Sequence, residues 1–305
     1  MKTCELICNL ESGKGIREWQ LKEIVKKLER GGYKTNLYIT KARGDAKNHV
    51  KELPHRDLVL SIGGDGTFNE IVSGNYERDK KLVLSHIPLG TTNDIGHMLG
   101  LNKNIIRSVQ KILDGEVKQV DLGIVNGKPF VYVAGFGKFI NVPYQTSRRL
   151  KKRLGHMAYL LNGVKEFFQT TKLYDVEYKI DDKVYKGNFS LILISNANRI
   201  AGFSHIYRDV KLDDDKFEIM FCDIHRKRKL VKTLVHIIKT GITNAPGIYC
   251  HTANKIEITF KEKVKNNWTV DGEKLDDENN KYTFTIDKNL KLLLPKKNLK
   301  KLFIK

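Results

Sequence analysis

The chain has 305 residues, 40% of them apolar, and carries 55 Lys and Arg against 35 Asp and Glu, a formal net charge of +20. That length suits one large domain or two, each with a sizeable core, and the apolar content excludes a disordered chain. No run approaches the roughly 18 to 20 apolar residues of a membrane span, and MKTCELICNL meets Glu5 and Asn9 too early for a signal peptide, so a cytoplasmic protein is expected.

In chain order, ELICNL and TNLYIT read as strands around a helix from about Arg17 to Arg30. In that helix Leu21, Ile24, Val25 and Leu28 form an apolar stripe, and Gly31 and Gly32 stop it. Cys4 and Cys8 fall in the first strand and, with Cys222 and Cys250, show no CxxC pair, which points to small buried thiols rather than zinc or disulfides. A shorter helix near Ala46 to Leu53, the strand DLVLSI, a glycine loop, a helix starting near Phe68 and the strand LVLSHI follow. Near-continuous apolar strands alternating with helices indicate a parallel α/β sheet covered on both faces, with ligands beyond the carboxyl ends of the strands.

From about Val125 the pattern changes. VEYKID alternates strictly, with Val176, Tyr178 and Ile180 on one face, and DDK leads to another run toward NFSLILIS, an antiparallel connection. FEIMFCDI, KIEITF, WTVDGEKL, YTFTID and LKLLL continue a mostly antiparallel β half, interrupted by helices around Gly155 to Phe168 and Lys229 to Lys239. A second domain facing the first across a cleft is therefore expected.

Two loops on one edge of the parallel sheet carry the chemistry. SIGGDGTFNE places Gly63, Gly64 and Gly66 around Asp65, and glycine amides at a tight turn suit an anion such as phosphate. A carboxylate there opposes phosphate unless a metal ion or a proton lies between them. PLGTTND adds Gly90, the hydroxyls of Thr91 and Thr92, Asn93 and Asp94 after the next strand. Turn formation and helix capping explain either loop alone, but less readily both together.

The succession NLESGKG, Thr40 with GDA, GGDGTFNE, PLGTTNDI and VDLG resembles the diacylglycerol kinase family of lipid kinases, in particular its soluble bacterial members. The likeness continues through YVAGFGKFINVPYQT, LGHMAYLLNGVKEF, LDDDKFEI and VDGEKL, nearly the whole chain. GGDG alone is shared with NAD kinases and phosphofructokinases; its combination with PLGTTND and a late DGE is far more specific.

The resemblance implies ATP-dependent phosphorylation of a lipid hydroxyl. It implies an ATP-binding α/β domain over 1–124, a β-rich lipid-substrate domain over 125–286, and a return of 287–305 onto the first. ATP-contacting positions would be Asn9, Ser12, Gly13, Thr40, Gly63, Gly64, Asp65, Gly66, Thr67 and Asn69, then Gly90, Thr91 and Asn93. Mg²⁺ would bridge the phosphates, held directly or through water by Asp65 and Asp94, with Asp121 as a third carboxylate of the network. In VDGEKL, Glu273 is the expected base for the lipid hydroxyl, and Asp271 supports it or competes for the role. By itself a DG turn between strands reads as a hairpin. KLDDDKF resembles a structural Mg²⁺ site built from Asp214 and the carbonyls of Lys211 and Lys216.

Departures from the family pattern are local. Asp215 stands where the family usually has glycine, and Ile95, Gly96 and His97 stand where it has an aromatic, a small residue and arginine. Ala201 precedes Gly202 where a glycine pair is usual. Basic clusters at RRLKKR (148–153), HRKRK (225–229) and KKNLKKLFIK (296–305) read as solvated faces. The positive excess suits an anionic inner membrane surface approached peripherally, where each Lys or Arg contributes about 1 kcal/mol. Without a recognition helix, an aromatic RNA-binding motif or zinc-finger spacing, nucleic acid is not expected. A homodimer is compatible with the resemblance. Competing readings are kinases of a sphingoid base, ceramide, phosphatidylglycerol or a polyprenol, a NAD kinase, and a nucleotide-binding regulator without catalysis.

Overall fold

A computed structural model describes residues 1–13, 15–91, 93–101, 104–137, 172–197, 199–200, 203–204, 210–240, 242, 244–263, 268–275, 277, 279–297 and 299–304. The helix expected over 155–168, the RRLKKR cluster, Thr92, Ala201 and Gly202 lie outside them. Among the described residues no helix is long and apolar enough to cross a membrane. The chain divides into two compact units, one of Met1–Leu122, Lys211–Asp214 and Asp287–Lys305, the other of Gly123–Val210 and Asp215–Ile286.

Unit 1 alternates β1 (Lys2–Cys8), α1 (Glu18–Arg30), β2 (Tyr33–Ile39), α2 (Asp45–Glu52), β3 (Leu58–Gly63), α3 (Asp65–Tyr76) and β4 (Val83–Pro88). Then come α4 (Asp94–Met98), α5 (Ile105–Leu113) and β5 (Glu116–Val125), which runs on into unit 2. The strands pair in parallel in the order β2, β1, β3, β4, and β4 pairs in parallel with the end of β18 (Lys281–Leu294). Leu21, Ile24 and Leu28 of α1 are buried, as their spacing predicts, each contributing about 2 kcal/mol of apolar transfer. Helix α1 packs with α5, and α2 with α3.

Because β2 lies on one side of β1 and β3 on the other, the chain reverses direction across the sheet between β1 and β3. In open α/β sheets ligands bind beyond the carboxyl ends of the strands at such a switch point, where the loops leaving two adjacent strands start. In unit 1 those loops are NLESG and GGDGT.

Unit 2 is antiparallel. One sheet runs β14 (Ile248–Ala253), β13 (Phe217–Cys222), β10 (Leu191–Ser195), β7 (Val133–Gly137), β16 (Thr269–Val270) and β17 (Glu273–Lys274). In the other, β15 (Lys255–Phe260) lies between β8 (Tyr174–Ile180) and the start of β18, and β8 pairs with β9 (Lys183–Phe189). An aromatic core fills the space between them: Tyr178 stacks on Phe221 with ring centroids 4.0 Å apart, and Phe136 meets Phe260 at 4.5 Å. Short strands β6 (Lys128–Phe130), β11 (Arg199–Ile200) and β12 (Phe203–Ser204), helix α6 (Lys227–Thr240) and, in unit 1, α7 (Leu299–Leu302) complete the described elements.

Two expectations are corrected. YTFTID and LKLLL are not separate strands but one 14-residue strand, β18, because the polar Asp287–Asn289 between them stays extended. Helix α3 starts at Asp65, three residues before Phe68, since the extended Gly64 caps it and the first turn tolerates Gly66.

Candidate active site

The loops after β1, β3 and β4 meet in unit 1 through small residues. Building a side chain on Gly90 would bring its Cβ to 2.9 Å from the Gly64 Cα, so the two loops touch backbone to backbone. Gly13 has φ +56°, and a Cβ there would lie 2.0 Å from the Leu89 carbonyl oxygen. Polar bonds fix the same junction. The Gly64 N–H donates to Ser12 Oγ at 3.2 Å, Asn9 Nδ2 donates to Thr67 Oγ1 at 3.1 Å, and the Leu89 N–H donates to the Gly63 carbonyl at 2.7 Å.

Asp65 sits in the first turn of α3, partly exposed. Its carboxylate accepts the N–H of Asp94 at 3.0 Å and of Ile95 at 3.1 Å, thereby tethering the start of α4 to the start of α3. This brings Asp65 beside Asp94, which is buried. The first amides of a helix have no intrahelical acceptor and carry the positive end of its dipole. At α3 these are the amides of Asp65, Gly66 and Thr67, a setting that favours phosphate.

Thr91 and Gly90 lie partly exposed on the next loop, and Asn93 adopts φ +55°. Asn93 Nδ2 donates to the Gly90 carbonyl at 2.8 Å, while its buried Oδ1 has no hydrogen-bond partner among the described residues. Thr40 is tied to the end of β1 through its N–H, 3.0 Å from the Cys8 carbonyl. Asn69, one turn into α3, accepts from Ser73 Oγ at 3.2 Å. Gly96 has a packing reason to be small, since a Cβ there would lie 2.6 Å from that of Pro88. His97 is exposed at the end of α4.

Asp121 is buried on β5, and its N–H donates to the Leu212 carbonyl at 2.7 Å. The following turn is anchored from the C-terminal segment of the same unit. The Leu212 N–H donates to the Leu302 carbonyl at 2.8 Å, Lys211 Nζ to the Lys301 carbonyl at 2.8 Å, and the Ile304 N–H to Asp213 Oδ1 at 2.7 Å. Asp214 ends this stretch of unit 1, and Asp215 and Lys216 open the next stretch of unit 2. Asp215 has φ +61°, so the residue in place of the family's glycine still takes the left-handed conformation, one that aspartate tolerates better than most side chains.

Among the described residues no three Asp, Glu, His or Cys side chains gather closely enough to enclose one metal ion. The donors at the loop junction are nonetheless all hard oxygens: the Asp65 and Asp94 carboxylates and the unpartnered Asn93 Oδ1. That set fits Mg²⁺, which keeps several waters and binds through one or two carboxylates plus substrate phosphates.

In unit 2, Asp271 and Gly272 have φ +48° and +81°, forming the two-residue turn of the β16–β17 hairpin. Asp271 is buried, and its carboxylate accepts three consecutive amides: Val131 at 2.5 Å, Tyr132 at 2.9 Å and Val133 at 3.0 Å. Glu273 is partly exposed at the start of β17. Spacing alone reveals neither the Asp271 clamp nor the tether from Asp65 to α4, because both join residues distant in sequence.

Cys4, Cys8 and Cys222 are buried, as expected, and burial pushes each thiol up to about 12, so each is protonated at neutral pH; Cys250, against that expectation, is exposed.

The model of the diacylglycerol kinase catalytic domain family matches residues 4–125. A diacylglycerol kinase of Bacillus subtilis (strain 168) is 32% identical over 276 residues, 90% of this chain and 90% of that one. One of Staphylococcus haemolyticus (strain JCSC1435) is 33% identical over 274 residues, 89% of this chain and 82% of the other. A crystal structure of a diacylglycerol kinase from Bacillus anthracis str. Sterne superposes with a TM-score of 0.79 at 24% identity, covering 96% of this chain and 97% of that one.

Proposed function

From the premise that the chain belongs to the diacylglycerol kinase family and is an ATP-dependent lipid kinase, we propose that it phosphorylates the free hydroxyl of diacylglycerol, giving phosphatidic acid. The observation that carries this reading is the junction of the β1, β3 and β4 loops. There glycine backbones, the amides opening α3, and Asp65 converge at the switch point of a parallel sheet.

Phosphoryl transfer rests on positioning and on stabilising charge spread over the phosphate oxygens. In this reading Gly63, Gly64, Gly66 and Gly90 let the phosphates approach the backbone, and Asn9, Ser12, Gly13, Thr40, Thr67, Asn69, Thr91 and Asn93 line or brace the nucleotide site. Asp65 and Asp94, with Asp121 as an outer member, would hold Mg²⁺, which when bound would supply neutralisation of the phosphate charge. Glu273 accepts the proton of the lipid hydroxyl as its oxygen attacks the γ-phosphorus, and the bond to the β-phosphate oxygen breaks. Asp271 is a positioning residue, its oxygens committed to the 131–133 amides. Asp214 and the carbonyls of Lys211 and Lys216 would hold a second, structural Mg²⁺, a reading supported by the left-handed Asp215.

The acceptor resides in a bilayer, so a chain of net charge +20 works at an anionic membrane face as a peripheral cytoplasmic protein. Radiolabelled ATP supplied with Mg²⁺ and mixed vesicles containing diacylglycerol tests the reading. Labelled phosphatidic acid from the wild type and none from Asp65→Ala is expected. Label appearing in NAD or another lipid alcohol, with none in phosphatidic acid, would reject the acceptor.

A further inference from the structure

Helix α6 carries a surface that the chemistry above does not use. Arg228, Val231, Lys232 and Val235 are exposed, the two valines at 49% and 44%. At 100° per residue these four positions fall within an arc of about 100°, so one strip of the helix alternates cation and aliphatic side chain. The opposite side is anchored. Thr233 is buried with its Oγ1 2.8 Å from the Lys229 carbonyl and 2.7 Å from that of Pro246, and Lys229 Nζ bonds Asp223 at 3.2 Å. From Ile224 to Ile256 the sequence has seven Lys and Arg and no Asp or Glu.

We infer that this face of α6 seats unit 2 on an anionic phospholipid bilayer, with Arg228 and Lys232 at the phosphates and Val231 and Val235 among the upper acyl carbons. The inference rests on the lipid-kinase reading only in that the acceptor lies in a membrane. The charge match selects an anionic surface, since each cation near it gains affinity. The valines select lipid over nucleic acid, because a phosphodiester backbone gives an exposed aliphatic side chain nothing to bury against, whereas an interfacial helix needs that apolar strip.

The test uses the full chain and sedimentation with vesicles of phosphatidylcholine, with or without phosphatidylglycerol. Arg228→Gln/Lys232→Gln is expected to weaken binding to the anionic vesicles about thirtyfold while turnover of a short-chain, water-soluble diacylglycerol stays unchanged. That retained turnover also shows the variant is folded. Val231→Asn/Val235→Asn is expected to weaken the binding that survives high salt, and Arg228→Lys/Lys232→Arg to keep wild-type binding. Removing the same charge from exposed positions of unit 1, Lys26→Gln/Lys34→Gln, should leave binding unaltered. The inference is overturned if the Arg228/Lys232 variant binds vesicles as the wild type does, if the unit 1 variant loses as much, or if only duplex DNA binding falls. Loss of vesicle binding in the variant, with a wild type that phosphorylates no diacylglycerol, would keep the docking face and remove the acceptor assignment instead.

Discussion

The carboxylates of Asp65 and Asp271 each accept neighbouring backbone amides, two in one case and three in the other, and this shared chemistry explains residues that motif spacing leaves ambiguous. The sequence makes both legible as acids beside glycine. It does not reveal their acceptor role, because the amides come from 29 and about 140 residues away. Asp271→Asn replaces one acceptor oxygen with a donor facing buried N–H groups, so a loss of about 2 kcal/mol is expected in urea unfolding, together with reduced turnover. An unchanged unfolding midpoint would reject the clamp. Gly13→Ala forces a Cβ against the Leu89 carbonyl in a left-handed conformation. It should abolish ATP binding, measured by calorimetry, while Gly32→Ala, which meets nothing within 4 Å, should not.

His86, fully buried between Ser61 and Phe68, is held by burial down to about 3. The unfolded chain therefore binds a proton near pH 6.5 that the folded chain refuses until about pH 3. Its contribution to stability is complete above the unfolded value and is lost as pH falls between the two, up to about 5 kcal/mol. His86→Phe should flatten the fall of stability between pH 6.5 and 4 seen in urea titrations. An unaltered slope would assign the acid sensitivity to other groups.

At the scale of elements, the helical spacing of apolar residues made α1 and α2 readable, and short near-continuous apolar runs ahead of glycine-bearing loops did the same for β3 and β4. β14 is not legible in GIYCHTA because its apolar run is only the three residues Ile248 to Cys250; its place comes from pairing with β13, a tertiary fact. The length of β18 was hidden for the opposite reason, its polar middle looking like a turn. The C-terminal segment illustrates an element whose value is where it docks. Leu299, Leu302 and Phe303 are buried, and Leu302 and Ile304 hold the 211–214 turn from the backbone. Phe303→Ala should cost about 3 kcal/mol in unfolding and lower turnover. A variant losing stability with full turnover would separate that turn from function.

For the molecule as a whole, the parallel half with phosphate-suited loops and the antiparallel half were both evident from the change of pattern near Val125. Charge was legible as a total of +20 but not as a surface: which cations share a face with valines follows only from the turn of α6. The switch point between β1 and β3 was likewise out of reach, because strand order is set by pairing and not by local pattern.

The most direct measurement compares the initial rate of labelled phosphatidic acid formation by wild type and by Glu273→Gln, in vesicles containing diacylglycerol, with ATP binding measured on both. Product from the wild type, a rate at least about 100-fold lower for the variant, and equal ATP binding are expected. Equal rates, or no labelled phosphatidic acid from the wild type, would contradict the proposed reaction.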